Sequence, residues 1–243
     1  MNAYFDGEKD KEFIVESMRK YVAQEQEIDK VLKKLITPYL HEKSLRVLDA
    51  ACGNGHVIEY LSRISPESHF VGVDITSYLI DEARKVCEDV PHCEFVAQDV
   101  MEYGTSHVKE FDISISWKTL SWLPTYTEMF DSLLAMTKSH IFISSLFYDG
   151  DIDFEIRVRE YKKEGGKDVF NSYYNVYSLP HFIKYAKSHG ATHVEVTDFE
   201  IPIDLPRGDK DVMGTYTLLL NKGKRVQISG AVVMSWKILR IDV

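Results

Sequence analysis

The sequence predicts an α/β protein built on a mostly parallel sheet. Three observations carry this prediction. Short apolar runs ending in acidic or small residues recur between residues 45 and 146, helix-like segments lie between them, and glycines cluster directly after the first run. Strands alternating with helices cross over in a right-handed sense. That stacks helices on both faces and brings the C-terminal ends of the strands to one edge, where ligands bind.

The elements follow in order. The first forty residues read as helix. Phe13, Ile14, Met18, Tyr21 and Val22, then Ile28, Val31, Leu32, Leu35 and Ile36, recur at three-to-four spacing, and Pro38 marks the expected end. This segment is expected to pack as a helix or to cover a ligand, with Tyr4, Phe5 or Tyr21 reaching inward. Five strands are then expected at Leu45–Asp49, Phe70–Asp74, Glu94–Asp99, Phe111–Ser116 and His140–Leu146. Helices are expected at Val57–Arg63, Tyr78–Val86 and Glu128–Thr137.

After Leu146 the regularity breaks. Residues 148–177 are polar and rich in tyrosine. Ser178 is placed to cap a helix with Pro180 in its first turn, and Gly190 suits the stop after it. His193–Ile203 reads as a sixth strand and Val232–Ile241 as the last. Between them, Thr215–Leu220 and Arg225–Ile228 flank Asn221-Lys-Gly223, a hairpin signal. No repeat or low-complexity linker divides the chain, so one domain is expected over 1–243: a helical lid at 1–40, a ligand-binding core at 41–147, and cap insertions at 148–178 and 204–230.

Composition narrows the function. The chain has 243 residues and a formal net charge of −9, which disfavours phosphate-backbone partners. Three cysteines, Cys52, Cys87 and Cys93, do not form a disulfide framework or a zinc-ligand spacing, so no metal is expected. Neither a leader nor a membrane span is visible, and a reducing, cytoplasmic setting is expected.

The chemistry sits on the first strands. Asp49 ends a strand and opens Asp49-Ala-Ala-Cys-Gly-Asn-Gly55, where Gly53 and Gly55 let the backbone turn tightly beside a ligand. The following helix points its first amides at the same place. Asp74 ends the second strand about twenty residues later, where a carboxylate can take both hydroxyls of an adenosine ribose. Asp99 ends the third, where a carboxylate can reach an adenine amino group. A dinucleotide-binding loop would need a third glycine at position 58, which is Ile58.

Val47-Leu-Asp-Ala-Ala-Cys-Gly-Asn-Gly55, Val71-Gly-Val-Asp74, Gln98-Asp-Val100 and Phe111-Asp-Ile-Ser-Ile-Ser116 stand in this order, and there the chain resembles the class I S-adenosylmethionine-dependent methyltransferases. The resemblance is close over residues 40–150 and looser to Ile241. It implies a Rossmann-like, seven-stranded, mostly parallel sheet whose last strand is antiparallel, with S-adenosylmethionine as cofactor. It implies that Asp49 and the Ala50, Ala51, Cys52, Gly53 and Gly55 backbone hold the methionine part. Asp74, with Ile75 beside it, would hold the ribose, Asp99 and Val100 would face the adenine, and Ser116 and Trp117 would lie under the methionine moiety. Ala51 stands where many members have glycine.

Methyl transfer from a sulfonium is a direct displacement that needs alignment more than activation. Where the acceptor must lose a proton, His181 and Asp149 are the candidate bases; His140 lies at the wrong end of its strand and is read as structural. Tyr148, Tyr173, Tyr174, Tyr177 and Arg207, with Arg157 and Arg159 nearby, suit a polar or anionic small molecule such as a sugar or a phosphate-bearing metabolite. The segment Ser116-Trp-Lys-Thr119 lacks the prolines of DNA amino-methylating enzymes and the acidic pair of protein arginine methyltransferases. The reading is therefore a small-molecule O- or N-methyltransferase. The alternatives are a cofactor-binding protein of the same fold that acts through a partner, and an RNA methyltransferase.

Overall fold

A computed structural model describes residues 11–23, 25–40, 44–161, 168–208 and 214–243. In chain order these form α1 (Lys11–Ala23), α2 (Glu27–Leu40), β1 (Arg46–Ala50), α3 (His56–Ser62), β2 (His69–Asp74), α4 (Ser77–Val86), β3 (Cys93–Ala97), α5 (Val100–Gly104), β4 (Phe111–Trp117), α6 (Thr127–Met136), β5 (Thr137–Tyr148), β6 (Arg157–Tyr161), β7 (Asp168–Tyr173), β8 (Tyr177–Ser178), α7 (Leu179–Ser188), β9 (His193–Asp198), β10 (Thr215–Leu219), β11 (Arg225–Ser229), β12 (Val232–Val233) and β13 (Trp236–Asp242).

The central sheet runs β3–β2–β1–β4–β5–β13–β9, with β8 beside the end of β5. β1 to β5 pair in parallel, and β13 is antiparallel to both β5 and β9. Apart from β8, an eighth strand, this is the seven-stranded, mostly parallel sheet that the resemblance implies. Strand alternation sorts its side chains between two cores. Val47, Phe70, Ile113, Ile115, Phe142 and Ile238 join one core with α2, α3 and α4. Leu48, Val71, Ile141, Ile143 and Leu239 join the other with α5, α6 and α7. Phe130, Leu133 and Phe182 on the second face are fully buried, each contributing roughly 2 kcal/mol of apolar burial. The parallel strands end together at Ala50, Asp74, Ala97, Trp117 and Tyr148, on one edge of the sheet.

Several elements differ from expectation. The N-terminal helix is two helices, and α2 carries Pro38 inside its last turn rather than ending there. Near a C-terminus the amide that proline lacks removes only one intrahelical bond. The sixth strand stops at Asp198, because its partner β13 starts at Trp236 and offers no ladder beyond Lys237. The last strand divides: β12 pairs with β11 in the hairpin sheet, and β13 enters the central sheet. Segment 148–177 holds the antiparallel pair β6–β7. The expected caps are present. Ser178 Oγ accepts from His181 N at 3.3 Å, and Gly190 follows α7 with φ 122°. The hairpin turns through Lys222 and Gly223 at φ 68° and 79°. Among the described residues no helix is long and apolar enough to cross a membrane.

Candidate active site

The site begins with a tightly wound loop. Ala51, Gly53 and Gly55 have φ of 61°, 55° and 77°, so the backbone is left-handed at three of five positions. Ala51 and Cys52 donate their amides to Val73 O at 2.8 and 3.1 Å, which binds the loop to the end of β2. Gly53 N donates to Asp74 Oδ2 at 2.9 Å and Thr76 N to Asp74 Oδ1 at 2.8 Å. A side chain at Gly55 would be crowded as well as left-handed: a Cβ there would stand 3.1 Å from Ala83 and 3.2 Å from Phe95. The Cys52 thiol is buried in the core under the loop, and burial raises its pKa well above the usual thiol range. That suits packing rather than nucleophilic chemistry.

Asp49 is 2% exposed, and neither carboxylate oxygen has a hydrogen-bond partner among the described residues. Burial, then the nearby Asp74 and Asp29, push its pKa up to about 8. A buried, unsatisfied acid is costly unless something meets it, and a cation placed at the sheet edge would do so. Burial also raises Asp74, opposed by its amide donors. Ser116 Oγ is buried and without a partner among the described residues, as is Asn54 Nδ2. These orphaned polar atoms surround the glycine loop and the end of β4, and they fit a cationic, hydrogen-bonding ligand such as S-adenosylmethionine.

The other expected residues are placed as follows. Asp99 is half-buried and caps α5, accepting from Met101 N at 2.9 Å, with Val100 buried behind it. Ile75 is 38% exposed beside Asp74. Trp117 is buried and donates its indole N–H to Asp29 Oδ1 at 2.7 Å. Asp29 lies on α2 and was not singled out by sequence reasoning. Its signal was present: position 29 shares the buried face with Ile28, Leu32, Ile36 and Leu40, an acid within an apolar stripe. His56, the first residue of α3, has Nε2 3.8 Å from Asp29 Oδ2, and burial lowers its pKa to about 3, so the ring is neutral. Lys118 follows β4 with φ 60°, its amide donating to Ser144 O and Oγ. Burial lowers its pKa against the pull of Asp29. A cavity of about 270 Å³ between α2 and α3 is lined in part by Asp29, His56 and Tyr60.

The acceptor side is less uniform. Tyr174 and Tyr177 are 2% and 5% exposed. Tyr174 packs on Trp122, and Tyr177 Oη donates to Leu123 O at 2.8 Å. Both rings fasten the cap to the loop after β4 and leave almost no surface for a ligand. Tyr173 is half-buried under the Arg157 guanidinium at 4.2 Å, and Arg207 lies over Tyr216 at 5.1 Å. Tyr148 is exposed and meets Phe154 edge-on. Asp149 Oδ1 is 2.9 Å from Lys237 Nζ, and the exposed His181 ring is 3.6 Å from Asp151. Both stand near the end of β5, two strand positions from β1 and so about 10 Å across the sheet from Asp49. His140 pairs with Asp242 at the opposite edge, a structural role. Tyr4 and Phe5, and the side chains of Tyr21 and Arg159, lie outside the described residues. No group of three or more His, Cys, Asp or Glu among the described residues is arranged to hold a metal ion.

Residues 47–140 match the family model described as "Methyltransferase domain". Over this segment the chain is similar to methyltransferase domains, as the four motifs led one to expect. Two curated relatives are similar to it over part of their length. Trans-aconitate 2-methyltransferase of Escherichia coli O7:K1 is 30% identical over 94 residues, 39% of this chain and 35% of the relative. Malonyl-[acyl-carrier protein] O-methyltransferase of Bacillus cereus is 31% identical over 98 residues, 39% of this chain and 34% of the relative. The match thus spans about a third of each relative's length. Among solved structures, the DhpI-SAH complex superposes with a TM-score of 0.57 at 12% identity, covering 96% of this chain and 94% of that one. At that identity the likeness concerns the fold.

Proposed function

We propose that this protein transfers a methyl group from S-adenosylmethionine to an oxygen or nitrogen of a polar small molecule. The observation that carries the reading is the pairing of Asp49 with Asp74. One is a buried acid with both oxygens unpartnered among the described residues, and the other is an acid held in place by the loop's own amides.

When bound, the cofactor supplies an electrophilic methyl on a sulfonium. The chain's own residues position and shield it. Asp49 and the loop from Ala50 to Gly55 hold the charged methionine end. Asp74 takes the ribose hydroxyls on the lone pairs its amide donors leave. Ile75 and Val100 flank the adenine, and Asp99 accepts from its amino group. Ser116 and Trp117 close the methionine side.

The acceptor is small and polar, in the sugar or phosphate-bearing class or another anionic class. The names of the curated relatives, which act on trans-aconitate and on a malonyl group, support an anionic acceptor. Arg157 and Arg207 of the cap insertions supply positive charge. A carboxylate or phosphate oxygen needs no base. For a hydroxyl or amine, Asp149 and His181 remain the candidate proton acceptors. A nucleic acid is not the expected partner of a chain with net charge −9. Three free cysteines support a cytoplasmic setting.

The test is turnover. With methyl-labelled S-adenosylmethionine and pools of small carboxylates, sugars and phosphate esters, label is expected in a small-molecule fraction. Label in tRNA alone, or in no fraction, would reject this acceptor class.

A further inference from the structure

Asp29 is 3% exposed in the apolar face of α2, where Ile28, Leu32, Ile36 and Leu40 are all buried. A helix needs no acid there to pack, and a buried carboxylate is unfavourable unless its oxygens are engaged. Oδ1 is engaged, by a group far away in the chain: it accepts from the Trp117 indole, 88 positions later, while Oδ2 lies 3.8 Å from the ring of His56, the first residue of α3. The same carboxylate interacts with Lys118, the residue after Trp117. One side chain therefore joins the covering helix α2, the start of α3 after the glycine loop, and the end of β4. The carboxylate of Asp49 lies close enough for Asp29 to perturb it. Met18 of α1 also approaches the loop, 3.9 Å from where a Cβ on Gly53 would stand.

We infer that Asp29 is a positioning residue of the cofactor site: its carboxylate fixes the Trp117 indole against the methionine end and so makes the seating of α2 part of cofactor binding. This role rests on the functional reading above. It acts through Trp117, so removing either partner removes the same contribution.

The experiment is a double-mutant cycle read by titration of the full chain with S-adenosylhomocysteine, alongside urea unfolding. Asp29→Ala and Trp117→Phe are each expected to weaken binding roughly tenfold, as for loss of a charge-assisted hydrogen bond. The double variant should bind no more weakly than the poorer single one. Asp29→Asn, whose amide oxygen still accepts from the indole, should retain more affinity than Asp29→Ala. With Trp122→Phe and Trp236→Phe as background, Trp117 is the remaining tryptophan. Its emission should then shift when Asp29 is removed. Wild-type affinity in Asp29→Ala, or multiplying losses in the cycle, would overturn the role. If Asp29→Ala fails to fold, Trp117→Phe, which keeps the acid, decides: unchanged affinity overturns the role. A wild-type protein that does not bind S-adenosylhomocysteine would instead overturn the functional reading, and this role with it.

Discussion

The amide of Gly53 donates to Asp74 Oδ2 at 2.9 Å, so the glycine loop after β1 and the acid ending β2 form one unit. The acid proposed to hold a ribose is thus also the acid that sets the glycine loop. A change at either position is expected to be felt at the other.

The loop stores strain at Ala51. Its φ of 61° lies in the left-handed region, which costs a residue with a Cβ about 1–2 kcal/mol. Ala51→Gly relieves that cost and loses a smaller part of it to the freer unfolded chain. The variant is expected to melt a few degrees higher, a shift on the scale of about 1 kcal/mol for a chain of this length. Scanning calorimetry checks this; a lower Tm would contradict it.

Asp49 gives the free protein a pH dependence of definite sign. Its folded pKa, about 8, lies above the ordinary carboxylate value, so the native state holds a proton that the unfolded state has released. The resulting stability is fully present below about pH 4 and is lost as pH rises to about 8. Asp49→Asn cannot lose that proton. It should be more stable than wild type at pH 8, with the difference vanishing at pH 4, while binding cofactor poorly. A cationic ligand favours the charged acid. Binding of S-adenosylmethionine to the wild type should therefore release a proton near pH 7, and affinity should rise with pH towards 8. Calorimetry in buffers of different ionisation enthalpy reads that proton directly.

Lys237 ties the exit of β5 to β9. Its ammonium is buried between Asp149 and Asp198, which raise its pKa against the effect of burial. The two acids are mostly exposed, so either can return to water. Asp198→Asn is expected to cost less than about 1 kcal/mol because Asp149 remains. Lys237→Ala, which also removes the packed stem, should cost about 1–3 kcal/mol. Equal losses in urea unfolding would contradict this division.

The glycine loop and the strand-end acids were legible in the sequence because these residues are local. Asp49, Gly53 and Gly55 share one loop, and Asp74 and Asp99 each end a strand whose apolar run announces it. The strands of the central sheet were read within a few residues for the same reason. Long-range pairing was not legible. Nothing near position 29 points to Trp117, and only the acid's place in an apolar stripe hinted at a partner. In the cap, composition could not tell ring faces open to a ligand from rings packed on one another. Tyr174 and Tyr177 are both buried, the first against Trp122 and the second against the loop after β4. The β6–β7 pair escaped notice because its strands are polar and lack a clear alternation.

Asp49, Asp74 and the loop between them are proposed to form an adenosyl-sulfonium site. Titration calorimetry with S-adenosylhomocysteine tests it most directly, comparing wild type with Asp74→Ala. The wild type should bind with a stoichiometry of about one, and Asp74→Ala should lose roughly tenfold or more in affinity, as for removal of a charged hydrogen-bond partner. No binding by the wild type, or equal affinity in Asp74→Ala, would contradict the account.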